Sequence, residues 1–320
     1  MRTTIDLPRL GLGCAPLGNH GHARTDDEAF AVLEAAWDAG IRHFDTAPHY
    51  GLGLSEQRLG RFLATRPRGE FVVSTKVGRL VEEDPSWDGS SLDDEGFAVP
   101  ARLHRVLDYS SAGVRASLGQ SLERLGLDRV DILYVHDPER SEDPHALEQA
   151  LTALVDLRDQ GLVDAIGTGS MAPRSLLQTA ESGAADVLMV AGRYTLLDQS
   201  AAPAVLEACR RTGTRIVAAA LFNSGLLATT PRAGATYDYR AAPEDVLARA
   251  RAIERICARH GVELGTAAIH YPLLDEGVAS VVLGADTPAQ VRENVARLDA
   301  VVPDALWREL AETDLVPRCA

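Results

Sequence analysis

The chain has 320 residues, 46% of them hydrophobic and 24% charged, and its 46 Asp and Glu outnumber its 32 Lys and Arg to give a net charge of −14. This length fits one large domain or two ordinary ones, with apolar residues enough for a sizeable core. The acidic balance argues against nucleic acid or an anionic membrane surface as partner and weighs slightly against strongly anionic substrates, which a local basic pocket could still admit.

Strand-like and helix-like segments alternate along the chain. Short apolar strands are expected near residues 10–13, 43–45, 71–76, 130–135, 164–168, 187–191, 215–221 and 278–283. Near-continuous runs such as Val130 to Val135 and Val278 to Leu283 suit parallel strands covered on both faces. Helices are expected near 26–39, 55–63, 110–125, 145–160, 173–182, 201–212, 243–259 and 288–298, with a further one near 303–313. Their apolar residues share one face, as in Val114, Leu118, Leu122 and Leu125, or Val246, Ala250, Ile253 and Cys257. No linker divides the chain. About eight such units in residues 1–320 predict an α/β fold of one domain, a closed (β/α)8 TIM barrel. An open doubly wound sheet with a second domain is the other arrangement this alternation allows. The barrel places chemistry at the C-terminal ends of its strands. Two long loops, 79–108 and 222–242, would lie on that face, the first readable equally as a solvated acidic excursion.

No apolar run approaches the ~18 residues of a membrane span, and Met1 to Asp6 contain no secretory-type apolar segment. Cys14, Cys209, Cys257 and Cys319 lie far apart without a CxxC pair. That suits reduced thiols in a cytoplasmic protein and gives neither a zinc knuckle nor a disulfide framework. Gly11-Leu12-Gly13 opens a glycine-rich turn but lacks the third glycine of a dinucleotide fingerprint. Walker, GxSxG and HExxH patterns are absent.

The informative residues end three of the expected strands: Phe44-Asp45-Thr46-Ala47 followed by Tyr50-Gly51, then Ser74-Thr75-Lys76, then Tyr134-Val135-His136-Asp137. A barrel mouth would bring Asp45, Tyr50, Lys76 and His136 together. A free phenol has a pKa near ~10, and an adjacent ammonium lowers it. Asp45 would hold the ammonium charged, and His136 would orient a substrate oxygen or relay its proton. Taken singly, Asp45 could cap a loop, Lys76 could form a structural ion pair, Tyr50 could pack and His136 could be a core histidine. His43, His49, His104 and His136 show no ligand spacing, so no metal is expected.

On these strand ends the chain resembles the aldo-keto reductase superfamily, from about Leu10 to Asn294. The resemblance implies a metal-free barrel that binds a nicotinamide cofactor, with Tyr50 as proton donor or acceptor, Lys76 lowering its pKa, Asp45 pairing with Lys76 and His136 orienting the carbonyl or hydroxyl. Ala191 to Gln199, Phe222-Asn223-Ser224-Gly225-Leu226-Leu227 and Gly234 to Tyr239 resemble its aldose 1-dehydrogenase branch, the L-fucose and D-threo-aldose type, which includes pyridoxal 4-dehydrogenase. That branch implies oxidation of a cyclic hemiacetal to a lactone, with a sugar or a pyridoxal-like hemiacetal as small-molecule substrate. The superfamily also contains NADPH-dependent reductases of small aldehydes and ketones, and cofactor-sensing accessory subunits. A monomer or a homo-oligomer is compatible with all of these.

At the cofactor end, Thr287-Pro288-Ala289-Gln290 reads as a capping box that opens a helix toward a phosphate, and Gly284-Ala285 allow close backbone approach. By resemblance, Gln290, Glu293 and Asn294 match the adenosine-binding pattern. Asp286 stands where relatives often carry Arg or Ser. A carboxylate would repel an adenosine 2′-phosphate and accept from a 2′-hydroxyl, so NAD is expected over NADP, with Arg292 as a potential counterweight. Ser170 is the expected carboxamide contact although Met171 replaces the usual asparagine. Ala191 stands where many members place a glutamine, and Phe222 is the nearest aromatic to the usual stacking position. Asn223, Ser224 and Leu226 complete the expected cofactor contacts.

Overall fold

The computed structural model describes residues 6–317. Met1 to Ile5, on which the reading of the N-terminus largely rests, and Cys319 lie outside the described residues. Eight parallel strands close into a barrel: β1 (Leu10–Gly13), β2 (His43–Asp45), β3 (Val72–Val77), β4 (Val130–His136), β5 (Val163–Ser170), β6 (Val187–Ala191), β7 (Arg215–Ala219) and β8 (Val278–Gly284). β1 pairs with both β2 and β8, so no edge is left open among these strands. The helices are α1 (Asp26–Asp38), α2 (Leu54–Leu63), α3 (Ser111–Leu125), α4 (Ala146–Asp159), α5 (Pro173–Ser182), α6 (Ala204–Thr212), α7 (Glu244–Arg259), α8 (Leu264–His270), α9 (Pro288–Asp299) and α10 (Asp304–Glu312).

The strands are apolar on both faces because each face meets a different core. Ile132, Tyr134, Ala165, Val187, Met189, Val217, Ala219 and Val282 fill the barrel interior. The larger core lies between strands and helices and takes in Phe44, Val73, Leu133, Ile166, Leu188, Ile216 and Val281 with the apolar helix faces. All three described cysteines are buried and free. Among the described residues no helix is long and apolar enough to cross a membrane.

The expected elements all appear, with ends shifted by a few residues. β5 runs two residues further than expected, and α6 starts only at Ala204, after Pro203. α8 was not anticipated. Leu264 to Ile269 are buried throughout, so the segment has no polar face from which a helical period could be read. The loop 79–108 contains an antiparallel pair, Arg79–Glu83 with Leu103–Leu107. The loop 222–242 contains a smaller one, Thr236–Tyr237 with Arg240–Ala241.

Candidate active site

Strand register brings the expected residues to one mouth. Asp45 pairs with Ser74, Lys76 with Tyr134, and His136 with Gly169, all near the C-terminal ends of neighbouring strands. Lys76 Nζ donates to Asp45 Oδ2 at 2.7 Å, to the Thr46 carbonyl at 2.9 Å and to Tyr50 Oη at 3.2 Å. Asp45 is completed by Ser74 Oγ, which donates to Oδ1 at 2.7 Å, and His43 Nε2 lies 3.1 Å from the same hydroxyl. The Tyr50 ring meets the His136 ring edge-on with centroids 6.2 Å apart.

Tyr50 is placed by backbone contact. A Cβ on Gly18 would lie 2.5 Å from the Tyr50 carbonyl carbon, and one on Gly51, at φ +64°, would lie 2.2 Å from the Gly18 oxygen. Only glycine permits this approach. The loop carrying Gly18 is pinned by buried Arg58, which donates to Leu17 O at 2.8 Å and to Asn19 Oδ1 and Arg24 O, each at 2.7 Å.

Lys76 acts on the Tyr50 phenol in the expected direction, but burial outweighs it. Burial pushes the Tyr50 phenol up to about 12; Lys76 pulls it down but does not win, and Asp45 adds to the rise. Lys76 therefore offsets a desolvation cost without making the phenol acidic outright. Burial also works against the Lys76 ammonium, but Asp45 and Tyr50 outweigh it and the net shift is upward. His136 is driven well below the usual histidine range by burial, helped by Arg79, Lys76, His49 and Arg140, and so stays neutral.

Several neighbours were not foreseen. Arg79 is buried and ion-paired with Asp137, and Tyr109 Oη donates to the His136 carbonyl at 2.7 Å, fixing the end of β4. Phe97, from the long loop, lies over Tyr50 with centroids 6.1 Å apart. The same loop bonds to the loop after β1 through Gly21 N to Gly96 O at 2.9 Å, so the excursion covers the mouth. His49 abuts Tyr50, His136 and Phe97. The sequence marks it only by its place beside Tyr50 and as one of four histidines without ligand spacing. On the opposite rim Arg193 holds Asp238 through two bonds of 3.1 and 2.7 Å, anchoring the small hairpin after β7. Tyr239 at its tip meets His20 edge-on at 5.7 Å.

The expected cofactor residues cluster at the ends of β5, β7 and β8, several of them already engaged. Ser170 donates to Glu139 Oε1 at 2.6 Å and accepts from Ala172 N at 2.8 Å, so its hydroxyl proton is committed within the protein. Asn223 accepts from Thr195 Oγ1 at 2.8 Å and braces the β6 loop. Ser224 Oγ accepts from Tyr239 N at 3.0 Å. Leu226 is buried in the outer core and Phe222 is half-buried against it, so Leu226 offers only backbone. Ala191 ends β6, half-buried. Gly284 is exposed, Ala285 is buried, and Asn294 Nδ2 donates to Gly284 O at 3.4 Å. Glu293 pairs with Arg297 at 2.6 Å.

Two further expectations need correction here. Thr287 caps α9 by accepting from Gln290 N at 3.3 Å, but the Gln290 side chain accepts from Asp286 N at 2.5 Å, so the reciprocal half of the capping box is missing. Asp286 is not a lone carboxylate. It is ion-paired with Arg24, whose side chain is only 3% exposed against 47% for Asp286. Arg24 Nη1 also donates to the carbonyls of Pro16, His20 and His22.

The residues at the ends of β8 and α9 fit a dinucleotide. Gly284 leaves exposed backbone bare of a side chain, and α9 sets its positive end just beyond it.

The sequence pattern of the Aldo/keto reductase family matches residues 9–314. A D-threo-aldose 1-dehydrogenase of a Pseudomonas species is 52% identical over 315 residues, covering 98% of this chain and 96% of the relative. A pyridoxal 4-dehydrogenase of Microbacterium luteolum is 38% identical, with 98% and 96% covered. Among solved structures, an aldo-keto reductase of Bacillus halodurans superposes with a TM-score of 0.75 at 22% identity, over 100% of this chain and 97% of that one.

Proposed function

The chain belongs to the aldo/keto reductase family, an oxidoreductase family that works with nicotinamide cofactors, and from that premise we propose that it oxidises the anomeric hydroxyl of an aldose of the L-fucose or D-threo-aldose type to a lactone. The observation that carries this reading is the contact of Lys76 Nζ with both Asp45 and Tyr50 at the mouth, in a chain 52% identical to a D-threo-aldose 1-dehydrogenase.

His136, neutral, donates to the anomeric oxygen and holds it near Tyr50. Tyr50 Oη takes the hydroxyl proton. Lys76 stabilises the phenolate that must exist to accept it, and Asp45 keeps Lys76 charged. A nicotinamide bound at this mouth would supply the acceptor for the hydride of the anomeric carbon. Hemiacetal and oxidised cofactor thus become lactone, reduced cofactor and one proton. Run in reverse, the same phenol serves as the acid.

We infer NAD as the preferred cofactor. Arg24 commits Nη1 to three carbonyls and Nη2 to Asp286, and its remaining donor, Nε, is buried, so it offers little to a 2′-phosphate. The half-open Asp286 carboxylate remains to accept from ribose hydroxyls. Gly284, Ala285, Gln290, Glu293 and Asn294 would frame the adenosine end. Ser170, Phe222, Asn223, Ser224 and Leu226 would frame the nicotinamide and diphosphate through side chain or backbone.

A second reading, oxidation of the cyclic hemiacetal of pyridoxal, is favoured by the relative of that activity at 38% identity. The test is a substrate panel of L-fucose, D-arabinose, L-galactose and pyridoxal with each nicotinamide, followed at the absorbance of the reduced cofactor. Turnover of the sugars supports the first reading and turnover of pyridoxal alone supports the second. No turnover on the whole panel defeats both.

A further inference from the structure

The mouth holds more hydrogen-bonding capacity than one reacting oxygen needs. Tyr50 and His136 suffice for that oxygen, yet His49 stands at the third corner of a nearly equilateral triangle. Its ring centroid is 6.0 Å from that of Tyr50 and 5.7 Å from that of His136, and the latter two are 6.2 Å apart. The residue is held at its ring and at its backbone. It meets Phe97 edge-on at 5.1 Å, and Arg105 Nη2 donates to the His49 carbonyl at 2.9 Å. Arg105 is itself held by Asp93 at 2.5 and 3.2 Å.

The protonation state follows from burial. Nδ1 of His49 and Nδ1 of His136 are both buried with no hydrogen-bond partner among the described residues. A covered lone pair costs less than a covered N–H, so in both rings the proton sits on Nε2. Burial, with Arg79, Arg105 and Arg140 nearby, keeps His49 neutral. His136 is neutral for the same reasons. Among the described residues neither Nε2 has a hydrogen-bond partner; Asp137 Oδ2 lies 3.6 Å from His136 Nε2. Two uncharged N–H donors therefore stand side by side at the mouth. Arg79 and Arg105, the buried guanidiniums there, are ion-paired with Asp137 and Asp93, so their charge is already matched before a substrate enters.

We propose that His49 is a specificity-determining residue whose Nε2–H receives the hydroxyl on the carbon beside the reacting one, so that the site selects α-hydroxy carbonyl compounds and their cyclic hemiacetals over their deoxy counterparts. The proposal rests on the reading of Tyr50 and His136 as the groups that hold the reacting oxygen. A neutral donor matches a neutral hydroxyl, and a substrate lacking it leaves that donor unpaired in a half-buried place.

The experiment compares kcat/KM for L-galactose and 2-deoxy-L-galactose in the parent, His49→Phe and His49→Gln. The parent should favour L-galactose by about tenfold or more. That ratio should fall toward unity in His49→Phe, which keeps the aromatic packing, and recover in part in His49→Gln, which restores an N–H. A ratio unchanged in His49→Phe, with both rates lowered in parallel, would show a merely structural role and overturn the proposal, as would a parent that does not discriminate. If no sugar is oxidised, the aldose reading fails, and the proposal is decided in the reductive direction. Glyceraldehyde against propanal with reduced cofactor must then show the same collapse of the ratio in His49→Phe, and an unchanged ratio refutes it.

Discussion

Asp45 Oδ2 lies 2.7 Å from Lys76 Nζ, and both side chains are almost wholly withdrawn from water. Such a pair repays its desolvation only with further bonds, here those from Ser74 to Asp45 and from Lys76 to Thr46 and Tyr50. Lys76→Met leaves a buried carboxylate alone and should cost about 3 to 5 kcal/mol of stability. The double variant Asp45→Asn with Lys76→Met should regain part of that loss in denaturant melts while staying inactive. Full stability in Lys76→Met alone would contradict the picture of a costly pair held together by its partners.

The pH profile has a defined sign. The phenol of the free protein keeps its proton up to about 12. The fraction of base form therefore grows about tenfold per pH unit below that value, and oxidation should accelerate steadily between about pH 6 and 9. His136 is held neutral, so no acid limb should appear near the usual histidine value. A histidine limb near ~6.5 that vanishes in His136→Asn would show that His136 titrates in the free enzyme after all.

Gly18 gives a steric test of how finely Tyr50 is placed. The Cβ of Gly18→Ala would lie 2.5 Å from the Tyr50 carbonyl carbon, so one backbone must yield. A shift of an ångström at Tyr50 should cost about a hundredfold in kcat. The variant should still unfold cooperatively and still bind cofactor, by circular dichroism and calorimetric titration. Unchanged kcat would mean that Tyr50 tolerates displacement and does not act through a fixed position.

Cofactor choice tests Asp286 and Arg24 together. The parent should use NAD more efficiently than NADP. Asp286→Asn removes the repelling charge and leaves Arg24 unpaired, so the NADP to NAD ratio of kcat/KM should rise by about tenfold. A parent that prefers NADP, with a ratio unmoved by Asp286→Asn, would contradict the assignment.

The barrel was legible because its strands are buried on both faces and read as apolar runs bounded by amphipathic helices. The residues at the strand ends were legible because register alone brings Asp45, Lys76 and His136 to one height. Contacts across the mouth were not. Arg24 and Asp286 are 262 positions apart and no local pattern links them. Phe97 reaches Tyr50 only because the pair Arg79–Glu83 and Leu103–Leu107 folds the intervening loop back, and neither strand announces itself: the first ends in two exposed glutamates and the second is partly exposed along its length. The balance of charges at Tyr50 was equally hidden. Lysine beside a phenol suggests acidity, and only the depth of burial shows that desolvation exceeds it.

The most direct test is turnover of L-fucose with NAD by Tyr50→Phe, run beside calorimetric titration of NAD into the same variant. The account predicts that cofactor affinity stays within a few-fold of the parent while formation of reduced cofactor falls by about a thousandfold or more. Turnover within tenfold of the parent, with the variant folded and cofactor bound, would show that the proton leaves by another route and would remove Tyr50 from the centre of the chemistry.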